Sequence, residues 1–290
     1  MQSRSCVLLA VGWALLGAAS TGAQSGGQPD RQTRLAPARI ILVGDSTVAP
    51  RNGWGPGFCA IMAPEVKCLN LAKNGRSSGS YRAEGSWVTV MEALSHNSSF
   101  GATYVLIQFG HNDQPGKPGR STDLSTEFPA NMRGYVKDVL ATGATPVLVT
   151  PLTRRLFRDG RLTNDLAPWG AATKKVASET GVAVLDLNSE SAAAVQKMGA
   201  VEANTLAMAP APPDVQATAA SGNSLPVPKA SPPVSAPAGT QANNLAEPKG
   251  DPAALFDYTH LGEKGSALFG RMVAGELMGA VPSLRPYINP

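Results

Sequence analysis

Two stretches far apart in the chain hold residues whose types can do covalent chemistry together. Gly44-Asp45-Ser46 ends an apolar run, and Asp257-Tyr258-Thr259-His260 lies near the far end. A serine hydroxyl is a poor nucleophile until a base removes its proton, and an imidazole of pKa about 6.5 can do so at neutral pH. A carboxylate three residues before the histidine can hold the other ring nitrogen, select the tautomer and stabilise the imidazolium. Ser46, His260 and Asp257 therefore point to acyl transfer through a covalent serine intermediate. Each has a plainer reading alone: Ser46 or Asp257 as a cap or turn residue, and His260 as the lead-in to a helix.

An ester carbonyl under attack develops a negative oxygen that needs donors. Asn112, in Gly110-His111-Asn112-Asp113, carries an amide that can donate to it, and Gly75, in Asn74-Gly75-Arg76-Ser77-Ser78-Gly79, can bring a backbone N–H close where a side chain would obstruct. Both also read as ordinary turn residues. Arg76 and His111 stand beside these donors and are candidates for shaping the substrate side, with a structural role equally open.

These residues need a scaffold that brings separate loops together. Apolar runs at Ile40–Val43, Val66–Leu71, Thr103–Phe109, Pro146–Val149 and Val182–Leu185 predict five strands and suit a parallel sheet covered on both faces. Helical spacing predicts helices over Ser86–Leu94, Asn131–Leu140, Trp169–Thr180, Glu190–Met198 and Glu263–Met278. The alternation gives one doubly wound α/β domain over residues 38–280 with a parallel sheet. Ser46, Gly75 and Asn112 each follow a strand, and ligands bind beyond the carboxyl ends of such strands. The stretch from about Ala203 to Pro248 is rich in Pro, Ala, Ser and Gly, with few large apolar side chains, and reads as a disordered insertion. Residues 281–290 read as a C-terminal tail.

The N-terminus predicts export. Arg4, the apolar run Cys6–Ala19 and the small residues Thr21-Gly22-Ala23 read as a signal peptide over residues 1–23, followed by a flexible lead-in over 24–37. The run is short for a hydrocarbon core that takes roughly 20 helical residues, so the expectation is a secreted or periplasmic protein without stable membrane insertion. Of the 3 cysteines, Cys6 leaves with the leader. Cys59 and Cys68 then either form a disulfide or stay as two buried thiols. With only 3 histidines, a metal cluster is not expected. The formal net charge of +4 is too mild, and the basic residues too scattered, to predict a nucleic-acid partner.

The four blocks together closely resemble the SGNH or GDSL hydrolase superfamily, named for Ser, Gly, Asn and His in four ordered motifs. Ile41-Leu42-Val43-Gly44-Asp45-Ser46-Thr47 resembles the first, Asn74-Gly75-Arg76-Ser77-Ser78 the second, Phe109-Gly110-His111-Asn112-Asp113 the third and Asp257-Tyr258-Thr259-His260-Leu261 the last. The resemblance implies a three-layer, flavodoxin-like α/β/α fold with a five-stranded parallel sheet. It implies Ser46, Asp257 and His260 as the catalytic residues, and an oxyanion hole from Ser46, Gly75 and Asn112. Gly-Asp-Ser-Thr and Gly-Arg-Ser-Ser resemble the rhamnogalacturonan acetylesterase-like members in particular. That implies a metal-free enzyme removing acetyl from rhamnogalacturonan or another pectic polysaccharide; no cofactor and a monomeric state are the further expectations. A broader acetylesterase acting on xylan or short acylated sugars is the alternative, and a catalytically inactive sugar-binding protein is the alternative from another class. The Pro/Ala-rich insertion before Asp257 departs from the family pattern.

Overall fold

The computed structural model describes residues 35–225 and 256–289. The expected signal peptide, most of the lead-in and the later part of the Pro/Ala-rich stretch lie outside the described residues. β1 (Ala38–Gly44) leads through α1 (Gly55–Cys59) to β2 (Val66–Asn70), and α2 (Ser80–Ala83) and α3 (Ser86–Leu94) lead on to β3 (Ala102–Gln108). α4 (Glu127–Ala141) precedes β4 (Thr145–Val149), and a small antiparallel hairpin of β5 (Phe157–Arg158) and β6 (Arg161–Leu162) follows. The chain continues through α5 (Ala167–Thr180), β7 (Ala183–Leu185), α6 (Leu187–Asn204), α7 (Pro213–Ala220) and α8 (Glu263–Ala280).

The main sheet has the order β2-β1-β3-β4-β7 with every pair parallel. Its strands are the five that the apolar runs predict. Successive strand residues face opposite ways, so each run feeds two cores. Ile40, Leu42, Leu106, Val147 and Val149 pack with Phe58 of α1, Val195 of α6, and Phe269, Val273 and Leu277 of α8. Ile41, Val43, Val105, Ile107 and Leu148 pack with Trp87 of α3, Phe128, Met132 and Tyr135 of α4, and Val176 of α5. Helices on both faces of a parallel sheet give the three-layer architecture expected. The order changes direction around β1, so β2 and β3 flank it, and loops from all three meet at the carboxyl edge.

α8 carries the last candidate block into place, and it crosses α1 at very short range. A Cβ on Gly57 would lie 2.1 Å from the Ser266 carbonyl oxygen, and one on Gly270 would lie 2.4 Å from the Phe58 nitrogen. The Gly57 N–H donates to Ser266 Oγ at 3.0 Å within the same crossing. Cys59, at the end of α1, is bridged to Cys68 of β2 with their Cα atoms 5.6 Å apart, which resolves the two readings of these cysteines.

Three parts of the sequence reading need correction. The stretch from Ala203 does not lose its structure at once: α6 runs to Asn204, and α7 follows with Val215 and Ala219 buried four residues apart. Pro213 opens that helix where no N–H is needed, which proline tolerates. The C-terminal tail is part of the domain, because Leu284 is buried, Ile288 pairs with Met62, and the Asn289 N–H donates to the Ile61 carbonyl at 2.7 Å. The lead-in is fixed at its end, where the Pro37 carbonyl accepts from the Gly101 N–H at 2.8 Å and the Ala36 carbonyl from the Tyr287 hydroxyl at 2.8 Å.

Candidate active site

Ser46 stands one residue beyond Asp45 at the carboxyl end of β1 and is 5 % exposed. No helix begins there: the Val48 and Ala49 N–H groups close a turn on the Asp45 carbonyl, and α1 starts only at Gly55. The turn is held by its own side chains. Asp45 Oδ1 accepts from the Thr47 N–H at 2.9 Å and the Thr47 hydroxyl at 2.7 Å. The Thr47 hydroxyl accepts from Gln108 at 2.6 Å, and Gln108 accepts from the Trp54 indole at 2.9 Å. Gly44 is needed because a Cβ there would meet the Gln108 carbonyl oxygen at 2.6 Å.

Lys73 extends the β2 pairing by donating its N–H to the Gly44 carbonyl at 3.0 Å, which places the next loop against the Ser46 turn. Gly75 follows with φ 75°, a left-handed conformation that favours glycine. Arg76 donates from Nε to Glu84 at 2.7 Å and from its guanidinium to the Asn74 carbonyl at 2.7 Å. The loop is tied to the one after β3 through buried Asp113, which accepts from the Ser78 hydroxyl at 2.5 Å and the Thr122 hydroxyl at 2.9 Å. Burial pushes the Asp113 carboxyl up to about 6, against the pull of those donors.

Asn112 sits between these loops with its amide oriented by its neighbours. Nδ2 donates to the Arg76 carbonyl at 3.1 Å. Oδ1 accepts from Lys117 Nζ at 3.4 Å and from the Arg120 guanidinium at 3.3 Å. The contact to Arg76 uses one of the two amide hydrogens, and two cations draw electron density from the amide oxygen. Burial, followed by the Arg154 and Arg120 charges, lowers the Lys117 ammonium to about 8. The sequence reading missed Lys117 and Arg120, whose only signal was a basic pair in the Gly- and Pro-rich turn after Asn112.

His111, for which the sequence left a substrate-side or a structural role open, is 2 % exposed, with Nδ1 3.4 Å from the Asp45 carboxylate. It lies beneath the serine turn rather than on a solvent-facing wall. Burial holds its pKa below the usual imidazole range, and the nearby Arg154 and Lys117 charges add to that against the attraction of Asp45. Arg76 remains partly exposed, with 28 % of its side chain accessible.

The turn before α8 brings Asp257 and His260 together. Asp257 Oδ2 lies 2.6 Å from His260 Nδ1, while Oδ1 accepts the Thr259 and His260 N–H groups at 2.6 Å each. Burial opposes the charge on Asp257, but the His260 hydrogen bond and charge, then the two N–H groups, outweigh it and bring the carboxyl to about 2. A charged carboxylate at Nδ1 keeps the proton on that nitrogen and leaves Nε2 as the basic one. The turn is stitched to the chain leaving Ser46, because the Leu261 N–H donates to the Asn52 carbonyl at 2.9 Å. Gly53 and Trp54 in turn bond back to Ala49 and Thr47.

Next to the Asn74–Arg76 loop lies an open cavity of about 330 Å³, lined by Arg51, Asn52, Lys73, Asn74 and Arg76 among others. Both polar atoms of the Asn52 side chain are buried and lack a hydrogen-bond partner. Among the described residues, no helix is long and apolar enough to cross a membrane. No group of three or more His, Cys, Asp or Glu side chains among them is disposed to hold a metal ion.

Comparison with known proteins identifies the family. Residues 42–210 match the GDSL-like Lipase/Acylhydrolase family. The chain is 34% identical over 178 residues to the rhamnogalacturonan acetylesterase RhgT of Bacillus subtilis (strain 168), covering 59% of this chain and 73% of that protein. It is 29% identical over 167 residues to YesY of the same strain, covering 55% of this chain and 75% of YesY. Among solved structures, that of protein YxiM from Bacillus subtilis superposes with a TM-score of 0.59 at 21% identity, covering 83% of this chain and 56% of YxiM, and so shares the fold. The chain therefore belongs to the GDSL-like lipase/acylhydrolase family and is an SGNH-type carboxylic ester hydrolase.

Proposed function

We propose that this protein is an exported carbohydrate acetylesterase that acts on acetylated pectic polysaccharide through an acetyl-serine intermediate. The observation that carries the reading is the 2.6 Å contact of Asp257 with His260 Nδ1, on a turn bonded to the chain that leaves Ser46. In this reading His260 Nε2 takes the Ser46 proton as the oxygen attacks the acetyl carbonyl. The N–H groups of Ser46 and Gly75 and the Asn112 amide receive the oxyanion. His260 then gives its proton to the departing sugar hydroxyl. Water, deprotonated by the same imidazole, releases acetate and restores the serine.

The pectic assignment draws on two supports. A protein 34% identical to this chain is named a rhamnogalacturonan acetylesterase. The cavity beside Gly75 is lined by Lys73, Asn74 and the partly exposed Arg76 among others, groups that suit the carboxylate and hydroxyls of an acidic sugar better than a neutral xylan chain. Export rests on the leader sequence, and the Cys59–Cys68 bridge suits an oxidising compartment.

Acetate release from acetylated rhamnogalacturonan and acetylated xylan, with wild type and S46A, tests the reading. The proposal expects wild type to favour the acidic polymer and S46A to be inactive on both. Preference for xylan would sink the substrate assignment, and an active S46A would sink the serine mechanism.

A further inference from the structure

One residue accounts for every backbone carbonyl of the turn that carries His260. Arg155, which follows β4 in the chain, is 1 % exposed. One terminal nitrogen of its guanidinium donates to the Asp257 carbonyl at 2.8 Å and the His260 carbonyl at 2.9 Å. The other donates to the Thr259 carbonyl at 3.2 Å, and the Arg155 backbone N–H donates to the Tyr258 carbonyl at 2.9 Å. The N–H groups of Thr259 and His260 go instead to Asp257 Oδ1. The turn belongs to neither helix nor strand, so these opposed sets of bonds stand where a regular ladder would otherwise fix the backbone.

We propose that Arg155 is a positioning residue for the reaction: its guanidinium sets the backbone of the Asp257–His260 turn and, through it, the direction of the imidazole. This rests on the reading of His260 as the base for Ser46. An apolar side chain would fill the same volume without burying a charge. The three-carbonyl fork is what arginine adds, and a lysine ammonium, a single point on a flexible stem, cannot reproduce it. Burial draws the Arg155 pKa down to about 10, against the attraction of Asp257, so the group stays charged at neutral pH and its bonds are charge-assisted. Nε is buried with no partner, so the guanidinium is turned toward the loop at the expense of its own full satisfaction.

The test uses R155K, R155M and R155A, with kcat and KM on a soluble acetyl ester and the rate at which an organophosphonate labels Ser46. A misplacement of about 1 Å in a reacting group lowers rates on the order of 100-fold. R155M is expected to lose about that much in kcat and in labelling rate with KM within about twofold. R155K is expected to lose at least about tenfold, and methylguanidinium at tens of millimolar is expected to restore part of the R155A activity. Folded R155M or R155K that labels at the wild-type rate overturns the proposal, even if its melting temperature has fallen. If R155M does not fold, R155K and rescued R155A decide. Failure of wild type to be labelled at Ser46 would instead strike the underlying serine reading, so the two failures are distinguishable.

Discussion

Replacing Asp257 with asparagine changes one atom type and tests the dyad at its joint. The carboxylate is held from an ordinary 3.8 down to about 2. That is worth at most ~2.4 kcal/mol to the charged pair, and since 35% of its side chain is accessible to solvent, screening lowers this to ~1–2 kcal/mol. Loss of that attraction alone slows acylation roughly 5- to 30-fold. The larger effect is the tautomer. In D257N the amide oxygen is free to keep the Thr259 and His260 N–H groups, which turns the amide NH2 toward His260 Nδ1. The proton then moves to Nε2, where it blocks acceptance from Ser46, and the same change in other triads lowers kcat about 10⁴-fold. D257N is expected to fall ~10³–10⁴-fold in kcat, measured by continuous acetate release, with KM nearly unchanged. D257A, which leaves the ring free to choose its tautomer, should be less impaired than D257N. A D257N enzyme within tenfold of wild type would refute the assignment of Asp257 to His260 Nδ1.

The same carboxyl predicts a pH signature. Its pKa is depressed by folding, so its contribution to stability is fully present above about pH 4 and is lost as pH falls toward about 2. Acid unfolding followed by circular dichroism should show that loss in wild type and less of it in D257A. Removing the Asn112 amide in N112A is expected to lower kcat about 10²–10³-fold, read with the same ester assay. G270A places a methyl 2.4 Å from the Phe58 nitrogen and should force α8 away from α1, destabilising by ~1–3 kcal/mol in urea titration.

The scaffold was legible where burial leaves a pattern in the sequence. Ile40 to Val43 had to be strand, because both parities are apolar and both faces are covered, and the same holds for Val105 to Ile107. The Asp257–His260 pairing was legible because three residues of separation in one turn let the side chains meet locally. Partnerships made across the fold were not. Arg155 reaches carbonyls more than a hundred positions away, at separations of 102 to 105, and nothing local to either segment signals it. Lys117 and Arg120 gain their bearing on Asn112 only from how one loop folds back. α7 escaped notice because its burial rests on Val215 and Ala219 in an otherwise small and polar stretch. His111 was open to a substrate-side or a structural role from its place beside Asn112, and only the folded loop decides between them by turning it down onto Asp45.

The proposed mechanism requires a covalent bond between Ser46 and the acyl group. Wild type mixed with excess acetyl ester, quenched in acid within milliseconds and digested for mass spectrometry, should show the peptide containing Ser46 heavier by one acetyl group. The adduct should be absent from S46A and strongly reduced in H260A. Acetate released steadily while Ser46 never carries an acyl group, or by S46A at the wild-type rate, would contradict it.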